Sequence, residues 1–440
     1  MDPFTLAVLL VIALFILIFM RVPIALAMGL VGAFGYVQLS SFSSLKAYLS
    51  TAWVDKFMSY DLAVVPLFIL MGHLATHSGI SASIFGAARA WIGHLRGGLA
   101  MASVAGCALF GSISGSSLAT ASTMARVALP EMKKHGFSGA LSSGSLAAGG
   151  TLGILIPPSV VLIIYALLTE QNIVKLFLAA TIPGILAVIG FMIAISIYVR
   201  LYPEEGPTSQ KASFAERIRS LGDIWHVVVI FVVVLGGIYG GFFTPSQGAA
   251  VGVVLTLIMG VIKGGLTVNT VMSSLIDTAG STAMIFAIVF GADIFNVALA
   301  LSRMPMETAA FISGSGISPM AVMIAIIVFY LVMGCLMDSL SMILLTVPVF
   351  FPTIMALDFG LQPEQQAMWF GIISLVVVEL GLITPPVGMN LFVISAMAPE
   401  IRMTEIFRGT IPFIAAEFTR IVILVSFPVL SFWLVDLIAN

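Results

Sequence analysis

Long apolar stretches separated by short polar ones run the length of this chain, at about 4–20, 22–38, 61–77, 98–129, 139–169 and 176–199. The series then restarts at about 224–243, 246–262, 280–301, 317–356, 366–397 and 407–437. A bilayer core of about 30 Å takes roughly 20 helical residues per crossing, so most of these stretches have the length of one membrane-spanning helix. The polar segment Tyr202–Asp223, with Pro203, Pro207, Lys211, Arg217 and Arg219, is the longest interruption and lies at mid-chain. The pattern predicts one unit over residues 1–200, a linker over 201–222 and a second unit over 223–440.

Two stretches in each half are too long and too interrupted for one straight helix. Residues 98–129 break at Gly111–Ser117 and residues 317–356 at Gly334–Ser339, which predicts two re-entrant hairpins with polar tips inside the membrane. Residues 139–169 and 366–397 break instead at Pro157-Pro158 and Pro385-Pro386. Each proline removes an N–H and its ring clashes with the preceding turn, so these read as discontinuous spans.

Aligning the halves sets Gly153–Ser159 (GILIPPS) against Gly381–Val387 (GLITPPV) at an offset of 228, and Gly111 against Gly334 at 223. A nearly constant offset marks an internal repeat. A hairpin returns to the side it left, so each half crosses five times, and an odd count makes the repeats inverted. With both termini outside, the inner loops collect Arg21, Arg89, Arg96, Arg126, Lys133, Lys134, Arg200, Lys211, Arg217, Arg219, Lys263, Arg402 and Arg408, leaving Lys46, Lys56, Lys175 and Arg303 outside. That excess of inner positive charge favours this orientation. Ser78–Leu95 and Ser302–Ser315 read as helices lying in the membrane interface or as ordinary loops. The fold expected is an all-α polytopic membrane protein of two inverted repeats.

Composition agrees: 60% apolar against 9% charged residues leaves too little polar surface to coat a soluble particle. The formal net charge of −2, with Lys and Arg scattered, provides no nucleic-acid footprint. No Walker loop, hydrolase triad or metalloprotease motif occurs, so ATP hydrolysis and proteolysis have no support. Asp2 stands where a signal peptide would be basic, so 4–20 reads as a retained span. Cys107 and Cys335 sit singly in apolar runs and read as small buried residues.

Non-helical backbone survives in lipid only where it lines a cavity or is buried in protein, so the breaks point to one shared site near the midplane. Carbonyls freed near the prolines and hydroxyls at the tips form an all-oxygen shell, which suits sodium, since no cluster of His or Cys supplies soft ligands. A first cation site is expected from Ser112, Ser114 and Ser116 with backbone oxygens near Gly153, Ile156 and Pro158. A second is expected from Gly334, Asp338 and Ser339 with Gly381, Thr384 and Val387. Small residues packing helices closely is the competing reading. Asp338 is the sharpest candidate, because a carboxylate in mid-membrane costs about 3 kcal/mol without a partner. Ser159 and Asn390 follow the two breaks, Ser159 as a substrate ligand or as a helix cap. Glu417 and Arg420, spaced i,i+3, read as a structural pair. His73, Asp293 and Glu379 read as proton-route members or as satisfied packing residues, and Asp61 and Asp223 lie at span entrances.

The runs Phe110–Ser117 (FGSISGSS), Ala128–Met132 (ALPEM), Ala148–Ser159 (AGGTLGILIPPS), Pro66–Gly72 (PLFILMG), Lys175–Gly184 (KLFLAATIPG) and Ile383–Asn390 (ITPPVGMN) carry a resemblance over nearly the whole chain. The chain resembles the large membrane subunit of tripartite ATP-independent periplasmic (TRAP) transporters. The resemblance implies a bacterial inner-membrane protein that works with a small four-helix membrane subunit and a periplasmic solute-binding protein. It further implies sodium-driven uptake of carboxylate solutes by an elevator motion, with Ser112, Ser114, Ser159 and Asp338 at functional positions. The small subunit is expected as a separate chain. A stand-alone sodium/dicarboxylate symporter is the alternative, and an ion channel has no filter-like loop to support it.

Overall fold

The structure, a computed structural model, describes residues 2–58 and 60–438. The side chains of Lys56 and Asp61 lie outside what it describes. In the first half, α1 (Pro3–Phe19), α2 (Ile24–Leu39), α3 (Phe42–Phe57), α4 (Val64–His77) and α5 (Ile80–Ile92) precede α6 (Gly98–Ser114), α7 (Ser117–Lys134), α8 (Gly139–Leu155), α9 (Val160–Thr169) and α10 (Ile173–Leu201). A mid-chain helix, α11 (Phe214–Asp223), leads to α12 (Trp225–Tyr239), α13 (Pro245–Ile262), α14 (Val268–Leu301), α15 (Met304–Gly314), α16 (Pro319–Gly334) and α17 (Ser339–Met355). The chain ends with α18 (Pro363–Leu382), α19 (Met389–Met397), α20 (Met403–Ser426) and α21 (Trp433–Ile438).

Among the described residues, α10, α13, α14, α18 and α20 are each long and apolar enough to cross a membrane. The molecule is therefore a multi-pass, all-α membrane protein. Three further pairs are apolar enough together to form a broken span or a re-entrant loop: α8 and α9 meet at 42° around Pro157-Pro158, α4 and α5 at 69°, and α11 and α12 at 50°. Caps set many of the starts, since the first N–H groups of a helix need partners that lipid cannot supply. Ser138 accepts from Leu141 N at 3.1 Å, Asn172 from Val174 N at 2.8 Å, and Thr244 closes a capping box with Gln247 behind Pro245. Ser78–Leu95 and Ser302–Ser315 fold as α5 and α15, which sets aside the ordinary-loop reading.

Hydropathy misplaces some segments. It passes over α3, whose apolar residues alternate with Ser43, Ser44 and Lys46, and over α11, started by the capping box of Ser213 and Glu216 inside the expected linker. The stretch at 407–437 is not one helix: α20 stops at Ser426, two residues before Pro428, which has no N–H to continue it.

Two helix layers position the site. In one, α2 lies against α14 so closely that a methyl on Gly32 would sit 2.6 Å from Phe295 N, the small-residue packing that lets helices approach in lipid. In the other, α8 and α18, the helices leading into the two Pro-Pro breaks, are buried along almost their whole length. A helix apolar or small on all sides has no face for solvent, and these two form the centre around which α6, α7, α16, α17 and α20 pack. The charged residues expected in the inner loops meet one another, through Arg89 with Glu131, Lys133 with Glu400 at 3.0 Å, and Arg408 with Glu205 at 3.8 Å. Lys175 pairs with Glu364 at 2.6 Å, near the other end of α10 from Glu205.

Candidate functional site

Each hairpin is pinned to a broken helix by a glycine contact. In the first, α6 continues to Ser114, so Gly111 lies within the helix and not at the expected break. The turn is made by Gly115 at φ +61°, a left-handed conformation that glycine adopts without Cβ strain, and by Ser116, which caps α7. A methyl on Gly111 would lie 2.4 Å from Gly153 Cα. In the second, α16 ends at Gly334 and Asp338 caps α17, accepting from Ser341 N at 3.1 Å. A methyl on Gly381 would lie 2.6 Å from Gly334 Cα. Gly153 and Gly381 hold the same place relative to their Pro-Pro pairs, so both tips are held at equivalent places on their broken helices.

A cavity of about 220 Å³ opens where the tips meet. It is lined by Ser114–Ala119, Asp338–Leu340, Val160 and Val161, by His73 and Thr76 of α4, and by Ser281 and Met284 of α14. The N-termini of α7, α9 and α17 all reach it, and each carries a partial positive charge. Among the described residues its ionisable lining side chains are His73 and Asp338. No group of three His, Cys, Asp or Glu residues that could hold a metal ion occurs among the described residues. Any cation here meets hydroxyl, carboxylate and backbone oxygens.

The nominated residues divide. Ser114, Ser116, Asp338 and Ser339 line the cavity. Ser114 Oγ is 2.7 Å from Thr120 Oγ1. Gly153 backs this tip, since a methyl there would lie 2.7 Å from the Ser116 carbonyl oxygen. Ile156 ends α8 in extended backbone, and the Pro158 carbonyl faces Gly115. Ser112 stays inside α6, its hydroxyl donating to Leu109 O at 2.8 Å. Ser159 caps α9, accepting from Leu162 N at 3.3 Å, and lies outside the cavity lining, as does the fully buried Asn390, whose Nδ2 donates to Ala147 O at 3.1 Å. Thr384 donates back to Leu380 O at 2.7 Å. After Val387, Gly388 N donates to Cys335 O at 3.2 Å, which ties the second break to its tip. The breaks are not equivalent in setting: Pro157 and Pro158 are buried, while Pro385 and Pro386 are exposed.

The Glu417–Arg420 pair forms, buried, with Arg420 also donating to Pro183 O at 3.1 Å. Both cysteines are buried and free. Asp293 accepts from Tyr48 OH. Sequence reasoning undervalued Glu379, which is fully buried and accepts from Ser117 Oγ with one oxygen and from Ser339 Oγ with the other, both at 2.5 Å. Its signal was there: a carboxylate inside the apolar run before Pro385.

Replacing Gly153 by Ala drives a methyl to 2.5 Å from Thr120 Oγ1 and against the Ser116 carbonyl. Overpacking of this kind costs about 1–3 kcal/mol, so Gly153→Ala is expected to lower the midpoint of thermal unfolding in detergent by several degrees. A midpoint equal to that of the unmutated protein would show that the tip yields freely.

Two hairpin tips and a broken helix meeting at one cavity with serine hydroxyls and a carboxylate on its wall, inside a multi-pass helical bundle, fit a membrane transport protein. Residues 11–430 match the family described as "Tripartite ATP-independent periplasmic transporter, DctM component", and the chain belongs to that family. It is a transport subunit and not an enzyme. The chain is 33% identical over 373 residues to a C4-dicarboxylate TRAP transporter large permease protein of Pseudomonas aeruginosa, covering 84% of this chain and 85% of that one. It is 31% identical over 380 residues to a sialic acid TRAP transporter large permease protein of Vibrio cholerae, covering 86% and 87%. The fold resembles the crystal structure of the Alcanivorax borkumensis YdaH transporter, with a TM-score of 0.62, 16% identity and 89% of each chain covered.

Proposed function

We propose that this chain performs sodium-coupled secondary active uptake of a carboxylate solute delivered by a periplasmic solute-binding protein, in the inner membrane and together with a small four-helix membrane subunit. The observation that carries the reading is the convergence of three helix N-termini and the hydroxyls of both hairpin tips on one cavity, a setting that favours an anion. His73 on its wall adds a hydrogen-bonding imidazole. Relatives named for C4-dicarboxylates and for sialic acid handle carboxylate-bearing solutes, which agrees with such a cavity.

Sodium sits on the oxygens of the tips and breaks: Ser114 and Ser116 with Gly153, Ile156 and Pro158 on one side, Gly334 and Asp338 with Gly381, Thr384 and Val387 on the other. Ser114 and Asp338 also face the solute, whereas Ser159 and Asn390 hold helices in place. Residues 1–200 and 223–440 act as inverted repeats, with the linker cytoplasmic and both termini periplasmic. The unit of hairpins and broken helices moves as an elevator against the layer containing α2 and α14. The matching glycine contacts of the two hairpins support the repeat.

The test is reconstitution into liposomes with the small subunit and the binding protein. An inward sodium gradient is expected to drive solute accumulation, and collapsing the gradient to abolish it. Equal accumulation without sodium overturns the coupling. Full uptake by this chain alone, with no binding protein, replaces the reading with that of a stand-alone symporter.

A further inference from the structure

We infer that Glu379 is a positioning residue that couples the two hairpin tips, so that neither tip loosens independently of the other. Its carboxylate lies on α18, wholly removed from solvent, and its two oxygens serve two different hairpins. Ser117, the first residue of α7, donates to Oε2, and Ser339, the first residue of α17, donates to Oε1. The partners are 262 and 40 residues away in sequence, so the link is tertiary and spans both halves of the chain. Both helices begin at this carboxylate, and their N-terminal partial charges favour an acceptor there. A buried acceptor that loses a donor has no water to replace it, so each hydroxyl is held by the full cost of leaving the group unpaired.

The bridge is built once. The position matching Glu379 in the first half is Thr151, whose hydroxyl turns back to its own helix, donating to Ala148 O at 2.6 Å. The first broken helix offers no such clamp, so the first tip is connected to the second through α18. The nearby Asp338 caps α17 through Ser341 N and is not part of the bridge. Because Ser117 and Ser339 are themselves among the cavity-lining residues of the two tips, a change at one tip reaches the other through a single side chain.

The native cysteines allow a test that needs neither solute nor sodium gradient, so its outcome is separate from that of the transport reading. Cys335 lies at the second tip, 6% exposed, and Cys107 lies deep in α6 at 0%, as an internal control for the fold. The measurement is the alkylation rate of each thiol by N-ethylmaleimide in the full-length protein, followed by mass spectrometry. Ser339→Ala should speed Cys335 labelling, and Ser117→Ala, on the other hairpin, should do so comparably. Loss of one hydrogen bond to a carboxylate corresponds to roughly a tenfold change in the population of the loosened tip. In a Glu379→Gln background, Ser117→Ala should add little, while Cys107 stays unreactive in every variant. The inference is overturned if Ser117→Ala leaves Cys335 labelling at the wild-type rate, or if its effect is undiminished in the Glu379→Gln background. Should Glu379→Gln expose Cys107 and so report misfolding, the comparison of the two serine variants decides alone.

Discussion

Asp338→Asn is expected to reduce sodium-driven uptake at least about tenfold while the protein reaches the membrane in normal amounts, a loss of roughly 1.4 kcal/mol or more in interaction. The separation of these effects follows from the two roles of the side chain. Asp338 caps α17 by accepting from Ser341 N, and Asn caps a helix about as well, so the tip keeps its backbone. What disappears is the negative charge on the wall of a cavity whose other ionisable lining group, among the described residues, is His73. In a site walled by protein, a carboxylate that neutralises a cation contributes far more than it would in water. Uptake measured against sodium concentration should show the half-saturation point moving up for Asp338→Asn. Wild-type uptake with an unmoved sodium dependence would remove Asp338 from the cation site and leave it as a helix cap.

The largest effect on stability is expected from Arg420→Ala, which should cost about 3–5 kcal/mol, the range for breaking a buried ion pair from one side. Arg420 and Glu417 are 4% and 1% exposed, and the guanidinium also donates to the Pro183 carbonyl, joining α20 to α10. The alanine variant strands a buried carboxylate and removes the bond to the Pro183 carbonyl. Replacing both partners, as in Glu417→Leu with Arg420→Met, removes the stranded charge and should recover much of the loss, because a well-packed apolar pair needs no desolvation. Thermal unfolding of the purified protein in detergent measures both. If the single variant unfolds at the wild-type midpoint, the pair contributes nothing to the join between α10 and α20.

Local chemistry explains why part of this molecule was readable from its residues. A proline pair cannot sit inside a helix without freeing carbonyls, so Pro157-Pro158 and Pro385-Pro386 announced two broken spans, and the helices do end there, at Leu155 and Leu382. Glycine and serine clusters marked the hairpin turns because only small or capping residues suit them. Glu417 and Arg420 share a helix face by spacing alone, and they pair. Segments of mixed polarity were harder: α3 and α11 gain their helical state from caps and packing that hydropathy does not weigh.

The rest depended on which distant residues the chain brings together. Matching motifs made the two Pro-Pro breaks look alike, yet one is enclosed by protein and the other exposed, since burial belongs to the neighbours and not to the motif. Ser159 could be a substrate ligand or a helix cap by its place after the break, and Asn390 a ligand; the fold has Ser159 accept from Leu162 N and Asn390 donate to the Ala147 carbonyl, both outside the cavity lining. Glu379 is the clearest case. Its type and its place in an apolar run follow from composition and order, while its use as a bridge depends on hydroxyls from two hairpins arriving on opposite sides of one carboxylate. Residue order specifies helices and their interruptions because those are governed by neighbours within a few positions. The cavity and its bridge come from contacts across hundreds of positions, and packing in three dimensions sets those.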